Sequence, residues 1–284
     1  MISQILETTE KLAEAIGVRG LLNVQYAISE EELYVLEANP RASRTVPYVS
    51  KATGVSLAKA ASLIAAGRSI EDLRAASLLP KAKMGISKGI AVKEAVLPWN
   101  RFRRIDGKSV DSVLGPEMKS TGEVMGISDD FGTAFAKSQI AAFGPLPRTG
   151  KVFVSLSDKD KKQAVSSARA LYELGFELFA TSGTRDALAS QGIASHLVVK
   201  HSEKTVSTEK SAVDLIETGE IDLVINTPFG RDSRKDGWFI RSAAIARGIP
   251  CITTIPGFRA AVAGIRALQD GTPTTKSLQD WTLS

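Results

Sequence analysis

Cysteine is almost absent: the 284-residue chain contains one, Cys251, so no internal disulfide can form. Histidine is nearly as scarce. His196 and His201 are the only two, and with one thiol they cannot assemble a zinc site of the usual His/Cys kind. Aromatic residues make up 6% of the chain, and no helix-turn-helix, zinc-finger or aromatic stacking pattern accompanies them, which argues against a nucleic-acid reader. No apolar run approaches the roughly 20 residues that span a bilayer. The opening Met1-Ile2-Ser3-Gln4-Ile5 lacks the basic region and apolar core of a signal peptide. These absences lead to the expectation of a cytoplasmic protein with neither membrane nor nucleic acid as partner. Cys251 itself, within Gly248-Ile249-Pro250-Cys251-Ile252-Thr253, reads as a small core residue on a buried strand.

What is present is a soluble globular composition, 43% hydrophobic and 24% charged, in a chain long enough for two well-buried domains. The net charge of +5 and pI near 9.2 suit small phosphorylated ligands. Apolar spacing predicts a helix over Ile2–Ile16 that stops at Gly17. Strand candidates Leu21–Ala27 and Leu33–Leu36, linked by Ser29-Glu30-Glu31-Glu32, read as a hairpin. Helices over Val46–Ala52 and Leu57–Ala66, a strand over Ile90–Leu97, a Gly- and Pro-punctuated region through Gly126 and a helix over Asp129–Phe143 follow. Residues 68–84 and 101–112 give no functional reading. Gly144-Pro145-Leu146-Pro147-Arg148-Thr149-Gly150 has linker composition.

Beyond that linker, strands Val152–Leu156, Phe176–Ala180, His196–Val199, Leu223–Asn226 and Cys251–Thr254 alternate with helices Lys159–Leu174, Thr184–Gln191, Val213–Glu217, Trp238–Arg247 and Phe258–Leu268. Regular alternation of this kind predicts an α/β, doubly wound, five-stranded parallel sheet.

Two clusters carry candidate chemistry. In Val35-Leu36-Glu37-Ala38-Asn39-Pro40-Arg41, alternate side chains of a strand share one face, setting a carboxylate, an amide oxygen and a guanidinium together. With Gln25 on the neighbouring strand, that set suits a divalent metal carrying a polyphosphate: hard oxygen donors for the metal, a planar cation for the phosphate. The spacing equally fits an edge hairpin whose polar face meets water. The second cluster lies at the carboxyl ends of the parallel strands, where open α/β sheets bind ligands. There stand Ser155, Ser157, Lys159 and Lys161, then Ala180-Thr181-Ser182-Gly183-Thr184, then Lys200, then Asn226-Thr227-Pro228-Phe229-Gly230-Arg231. Each alone also fits a turn or a helix cap; four on one rim point to a phosphate or nucleotide.

Glu37-x-Asn39-x-Arg41 resembles the metal-binding strand of ATP-grasp enzymes. Its continuation, Asn39 to Gly54 through Ala42-Ser43-Arg44-Thr45-Val46-Pro47, resembles the large chain of carbamoyl phosphate synthases and not the biotin-dependent carboxylases. Val92–Pro98, Leu114–Gly126 and Phe135–Gln139 extend the resemblance in collinear order over essentially the whole chain. The resemblance implies that residues 1–143 are the carboxyl-terminal part of an ATP-grasp α+β unit, 144–150 a linker, and 151–284 a methylglyoxal synthase-like allosteric domain. It assigns Gln25, Glu37 and Asn39 to Mg²⁺ or Mn²⁺, sets Gln25 and Glu37 beside the ATP phosphates, and makes Arg41 the catalytic cation on the phosphoryl group in transfer. In the intact family enzyme that step phosphorylates carbamate to carbamoyl phosphate.

The same resemblance implies that Lys161, Thr181, Thr184, Lys200 and Asn226 hold a nucleotide effector such as UMP or IMP. Pro228 departs from the hydroxyl residue found in many relatives. Glu94 and Thr253 match further positions implicated in effector binding. A true methylglyoxal synthase would need a His-Asp signature after the first parallel strand, where Ser157-Asp158 stands instead. The implied partners are an amino-terminal portion of the large chain, because nothing before Gly20 resembles a nucleotide clamp, and a glutaminase small chain. Two readings follow: a ligase segment silent by itself and active in the whole assembly, or a non-catalytic nucleotide- or phosphate-binding regulatory module.

Overall fold

A computed structural model describes residues 1–80, 89–99, 118–120, 122–199, 210–227 and 231–283, with backbone only at 231–235 and 282–283. The chain divides into two compact units, Met1–Gly89 with Lys276–Ser284, and Ile90–Thr275.

In the first unit, helix α1 (Ile2–Ile16) closes on Gly17 in the left-handed conformation (φ 68°), which residues bearing a Cβ rarely adopt. Strands β1 (Asn23–Ser29) and β2 (Glu32–Asn39) pair antiparallel across a two-residue loop. Its central residues, Glu30 and Glu31, both have positive φ (50° and 67°), the shape that matches the twist of a tight hairpin. The hydroxyls of Thr9 and Tyr26, 2.7 Å apart, tie α1 to the hairpin. Helices α2 (Thr45–Thr53), α3 (Leu57–Ala65) and α4 (Ile70–Ala75) follow. Buried apolar side chains among the described residues of this unit are few: Ala52, Ala60, Leu73 and Trp281.

The second unit opens with antiparallel β3 (Ile90–Val96) and β4 (Gly122–Ser128), then α5 (Phe131–Ala142), capped by Asp130, whose carboxylate accepts from the Thr133 N–H at 2.8 Å. The remainder alternates: β5 (Lys151–Leu156), α6 (Asp158–Glu173), β6 (Glu177–Ala180), α7 (Ser182–Ala189), β7 (His196–Leu197), α8 (Ala212–Glu217), β8 (Leu223–Thr227), α9 (Arg231–Arg247), β9 (Cys251–Ile252) and α10 (Ile255–Asp270). The five strands are parallel in the order β7-β6-β5-β8-β9, the doubly wound architecture expected from the alternation. Val152, Val154, Leu156, Leu178, Ala180, Leu223 and Ile225 face α5, α6, α7 and α10 on one side, and Phe153, Val198 and Val224 face α8 and α9 on the other. Burial on both faces explains why these strands read as apolar runs.

The compact units fall differently from the division placed at 144–150, because β3, β4 and α5 pack with the parallel-sheet unit. Glycine permits that packing. A Cβ at Gly132 of α5 would come within 2.5 Å of the Ala263 carbonyl of α10, and one at Gly126 of β4 would collide with the Ala134 carbonyl of α5. Strand β4, helix α4 and a final helix α11 (Leu278–Leu283) lay outside the sequence reading. The two helices had a legible signal, a serine followed three residues later by aspartate. Ser69 and Asp72 form a reciprocal capping box, and the Asp280 N–H donates to the Ser277 hydroxyl at 3.1 Å.

Cys251 packs against the second core, where burial pushes its thiol up to about 12, although Arg241 pulls the other way. A thiol so rarely ionised is a poor nucleophile. We expect Ellman's reagent at about pH 8 to label Cys251 only as the chain unfolds in denaturant; prompt labelling of the folded protein would contradict its placement. We also expect Gly126→Ala to destabilise the second unit by about 1–3 kcal/mol in urea melts, the usual cost of overpacking. Gly122→Ala, which meets no atom within 4 Å, serves as the control and should cost far less.

Candidate functional site

The hairpin brings Gln25, Glu37 and Asn39 together through an irregularity. Between Gln25 and Tyr26 the register slips: Gln25 faces Glu37, whereas Tyr26 faces Val35, leaving Leu36 as the extra residue of β2, 63% exposed. Continuing the Tyr26–Val35 register without the bulge would set Gln25 against Leu36 and leave Glu37 opposite Val24. With it, the Glu37 Oε1 accepts from the Gln25 Nε2 at 2.7 Å and from the Asn39 Nδ2 at 2.9 Å. Gln25 and Glu37 are exposed and Asn39 is half-buried, so the cluster opens to solvent.

Arg41 does not continue the alternation. Pro40 has no N–H for the ladder, β2 ends at Asn39, and the Arg41 N–H turns back to the Asn39 carbonyl at 2.8 Å. The Arg41 guanidinium donates through Nη1 to the Ala42 carbonyl at 3.2 Å. Hydrogen bonds thus join Gln25, Glu37 and Asn39, and Arg41 stands past the end of the strand.

The donors present fit a hard divalent cation. Half a turn about the Cγ–Cδ bond of Gln25 and the Cβ–Cγ bond of Asn39 exchanges NH2 for C=O and makes the set one carboxylate and two amide oxygens. Such a set carries little charge; among the described residues no group of three His, Cys, Asp or Glu could hold a metal alone. Magnesium suits it, because it binds through one or two carboxylates and takes its remaining oxygens from water and substrate phosphates.

The second site lies where the strand order reverses, between β5 and β8. The Ser157 N–H donates to both the carbonyl and the Oγ1 of Thr227, each at 3.2 Å, joining the two strand ends. Asn226, paired with Ser155 in register and 3% exposed, buries its Nδ2 without a hydrogen-bond partner among the described residues. A buried, unmatched donor is costly unless something accepts from it. Thr181 occupies the N-cap position of α7 and Thr184 lies inside that helix, so Thr184 is not the cap. Its Oγ1 accepts from the Leu156 N–H at 3.0 Å and from the Thr181 hydroxyl at 3.3 Å, leaving its own proton to donate. Lys161, in the first turn of α6, pairs through Nζ with the Asp158 Oδ1 at 2.6 Å and lies beside Gly183, where an added Cβ would sit 3.0 Å from that ammonium. Lys200 and Pro228 fall outside the described residues. The amino ends of α6 and α7 thus bring Lys161, Thr181 and Thr184 to the rim where β8 carries Asn226, with helix dipoles that favour an anion.

Thr253 is exposed just after β9, at the carboxyl end of the strand beside β8, and Glu94 is half-buried in β3. The Glu94 carboxylate accepts from the Ala95 N–H at 3.2 Å and from the buried Gln139 Nε2 at 2.9 Å.

Comparison with known proteins matches residues 2–73 to the family model described as carbamoyl-phosphate synthase L chain, ATP binding domain, and residues 163–253 to the MGS-like domain. Over nearly its whole length the chain is similar to the carboxyl-terminal part of carbamoyl phosphate synthase large chains. It is 53% identical over 284 residues to that of Streptomyces coelicolor, 55% over 287 to that of Clavibacter sepedonicus, and 54% over 286 to that of Mycobacterium tuberculosis. These alignments take in 98%, 100% and 98% of this chain and 26% of each relative, so the chain spans about a quarter of the length of the curated relatives it matches. Among solved structures, the crystal structure of ForH aligns with 47% of this chain and 87% of its own at 16% identity and a TM-score of 0.32, too slight a likeness to carry weight. No described helix is long and apolar enough to cross a membrane.

Burial pushes the Glu94 carboxyl above its ordinary value of 4.5, against the lowering pull of the Ala95 and Gln139 hydrogen bonds. The folded state then binds this proton more tightly than the unfolded chain does. The stability linked to it is fully present below the unfolded value and is lost as pH rises through the raised folded one. As pH climbs above 4.5, the urea midpoint of the wild type should fall relative to that of Glu94→Gln, which cannot titrate there. A constant difference between the two across that window would refute the assignment.

Proposed function

We propose that this chain works as the carboxyl-terminal segment of a carbamoyl phosphate synthase large chain, contributing to ATP-dependent phosphorylation of carbamate and carrying its nucleotide-effector domain. What supports the catalytic half most directly is the register bulge that sets Gln25 against Glu37 beside Asn39, in a chain 53% identical to a large chain along 98% of its length. Glu37, Gln25 and Asn39 hold Mg²⁺ or Mn²⁺, with Gln25 and Glu37 beside the ATP phosphates. A cation held there would supply positive charge to the phosphate oxygens. Arg41, freed from its contact with the Ala42 carbonyl, adds a planar cation to the phosphoryl oxygens.

The rim site takes the phosphate of a nucleoside monophosphate such as UMP or IMP. Lys161 contributes charge, Thr181, Thr184 and Asn226 contribute donors, and Lys200 completes the set. The buried Asn226 amide, which finds no acceptor among the described residues, supports this half. The remaining portion of the large chain and a glutaminase small chain are the partners, the cytoplasm is the compartment, and the chain alone is catalytically silent.

Two measurements test the reading. In thermal-shift titrations of the purified chain, UMP or IMP should raise the melting temperature; a ligand at a hundredfold excess over its dissociation constant stabilises by about 2.7 kcal/mol. Lys161→Met should remove most of that shift, and MgATP should give none. Joined to the rest of a large chain and its small chain, the segment should support carbamoyl phosphate formation. Glu37→Gln should then cost about a hundredfold or more, since metal charge stabilisation is worth several kcal/mol. Nucleotide binding without any support of synthesis would favour the non-catalytic regulatory module.

A further inference from the structure

The chain leaves its first unit at Gly89 and comes back to it at Lys276, so α11 belongs to the unit that the amino terminus began. There α11 packs against α2. A six-residue helix is too short to persist alone in water, so α11 is held by what it buries. Trp281 is 5% exposed and is the largest of the few buried apolar side chains among the described residues of that unit. The Lys276 ammonium lies 4.5 Å from the centroid of its ring, a cation–π contact. The second unit pins the stretch at its other end. In the last turn of α10, the Gln269 Nε2 donates to the Arg148 carbonyl at 2.6 Å and to the Leu174 carbonyl at 3.0 Å, both within that unit. Between the two anchors the chain runs through Gly271, extended at φ −179° and ψ 176°, into Thr272-Pro273-Thr274-Thr275. Pro273 restricts this link, which can span no more than about 18 Å. On the receiving side, α2 buries Ala52 alone and starts just past the Asn39–Arg41 turn, with Arg44 at its N-cap position.

We propose that the stretch from Gln269 to Trp281 is a strap by which the second unit keeps α2 in order, and with α2 the Asn39–Arg41 turn. A helix as short as α2 draws most of its stability from packing, and an element from far along the chain supplies part of it. The short link keeps α11 at high effective concentration beside α2. The pin at Gln269 stops the last turn of α10 from unravelling and slackening that link. Loosening either anchor therefore frees α2. The meaning for catalysis rests on the reading above, in which this turn carries Asn39 to the metal and Arg41 to the phosphoryl group. The unit with the effector rim then has a covalent hold on the unit with the metal cluster, and local order in α2 follows the end of α10.

The test is amide hydrogen exchange on the full chain, read peptide by peptide. Trp281→Ala should lower protection across α2 about tenfold or more, as loss of a buried indole implies, while β5 and β8 keep theirs. Trp281→Phe, which fills part of the same space, should fall between Trp281→Ala and the wild type, and it decides the point if Trp281→Ala unfolds the first unit. Gln269→Ala is the arm that a purely structural Trp281 would not move. The Gln269 side-chain bonds lie wholly in the second unit, yet α2 should lose about fivefold in protection, the scale of one hydrogen bond. In a Trp281→Phe background that further loss should shrink, and with Trp281→Ala it should vanish. Unchanged α2 protection in Gln269→Ala, or an equal loss without the indole, overturns the strap. The catalytic reading fails separately, if the wild-type segment supports no carbamoyl phosphate formation in the assembly, and exchange then still decides the strap.

Discussion

The pairing of β5 with both β6 and β8 is the constraint on which the second unit depends. The three strands run parallel, so their carboxyl ends share one rim, and the order reverses beside β5. From β5 the chain passes to α6, which packs on one face; from β8 it passes to α9, which packs on the other. A crevice between those departures follows from topology, whatever residues line it. Polar groups gather there because both sheet faces are closed by apolar helices. Asn226 and Thr227 end a strand whose preceding members, Leu223, Val224 and Ile225, are fully buried.

The two clusters differ in how they are held. The hairpin cluster is open to solvent, and its carboxylate takes hydrogen bonds from its neighbours' amides. Its geometry comes from backbone register, and in water its attractions are screened. The rim cluster is partly buried, so each hydroxyl and amide there must be satisfied or stand ready for a ligand. Thr184 meets that demand by bracing the Leu156 N–H, and the Asn226 Nδ2 leaves it unmet among the described residues. One cluster is shaped by strand pairing, the other by desolvation.

Much of the fold was legible because its signals are local. Alternating apolar strands and helices announced all five parallel strands, and Gly17 marked the end of α1. Strand β4 was not legible: its Gly122 and Gly126 look like turn residues, yet Gly126 is small because α5 presses on it. The capping serines of α4 and α11 were readable and went unread. In the hairpin cluster, residue type and spacing bring Gln25, Glu37 and Asn39 within hydrogen-bond reach, whereas Arg41 lies past the strand end because Pro40 ends the ladder before it.

Residue chemistry and periodicity, which depend on neighbours a few positions away, were determined by the sequence alone: hard oxygen donors on a hairpin, small and basic residues after parallel strands, one inert cysteine. Contacts between distant segments were decided only by the tertiary structure. The bulge that aims Gln25 at Glu37 depends on how two strands pair. The association of β3, β4 and α5 with the parallel sheet depends on glycines meeting backbone far along the chain. The pairing of Asp158 with Lys161 beside Gly183 depends on two helices starting at adjacent strand ends. Such arrangements arise from packing and register, in which a shift of one residue or one methyl group changes which side chains meet, and short-range pattern carries no record of that choice.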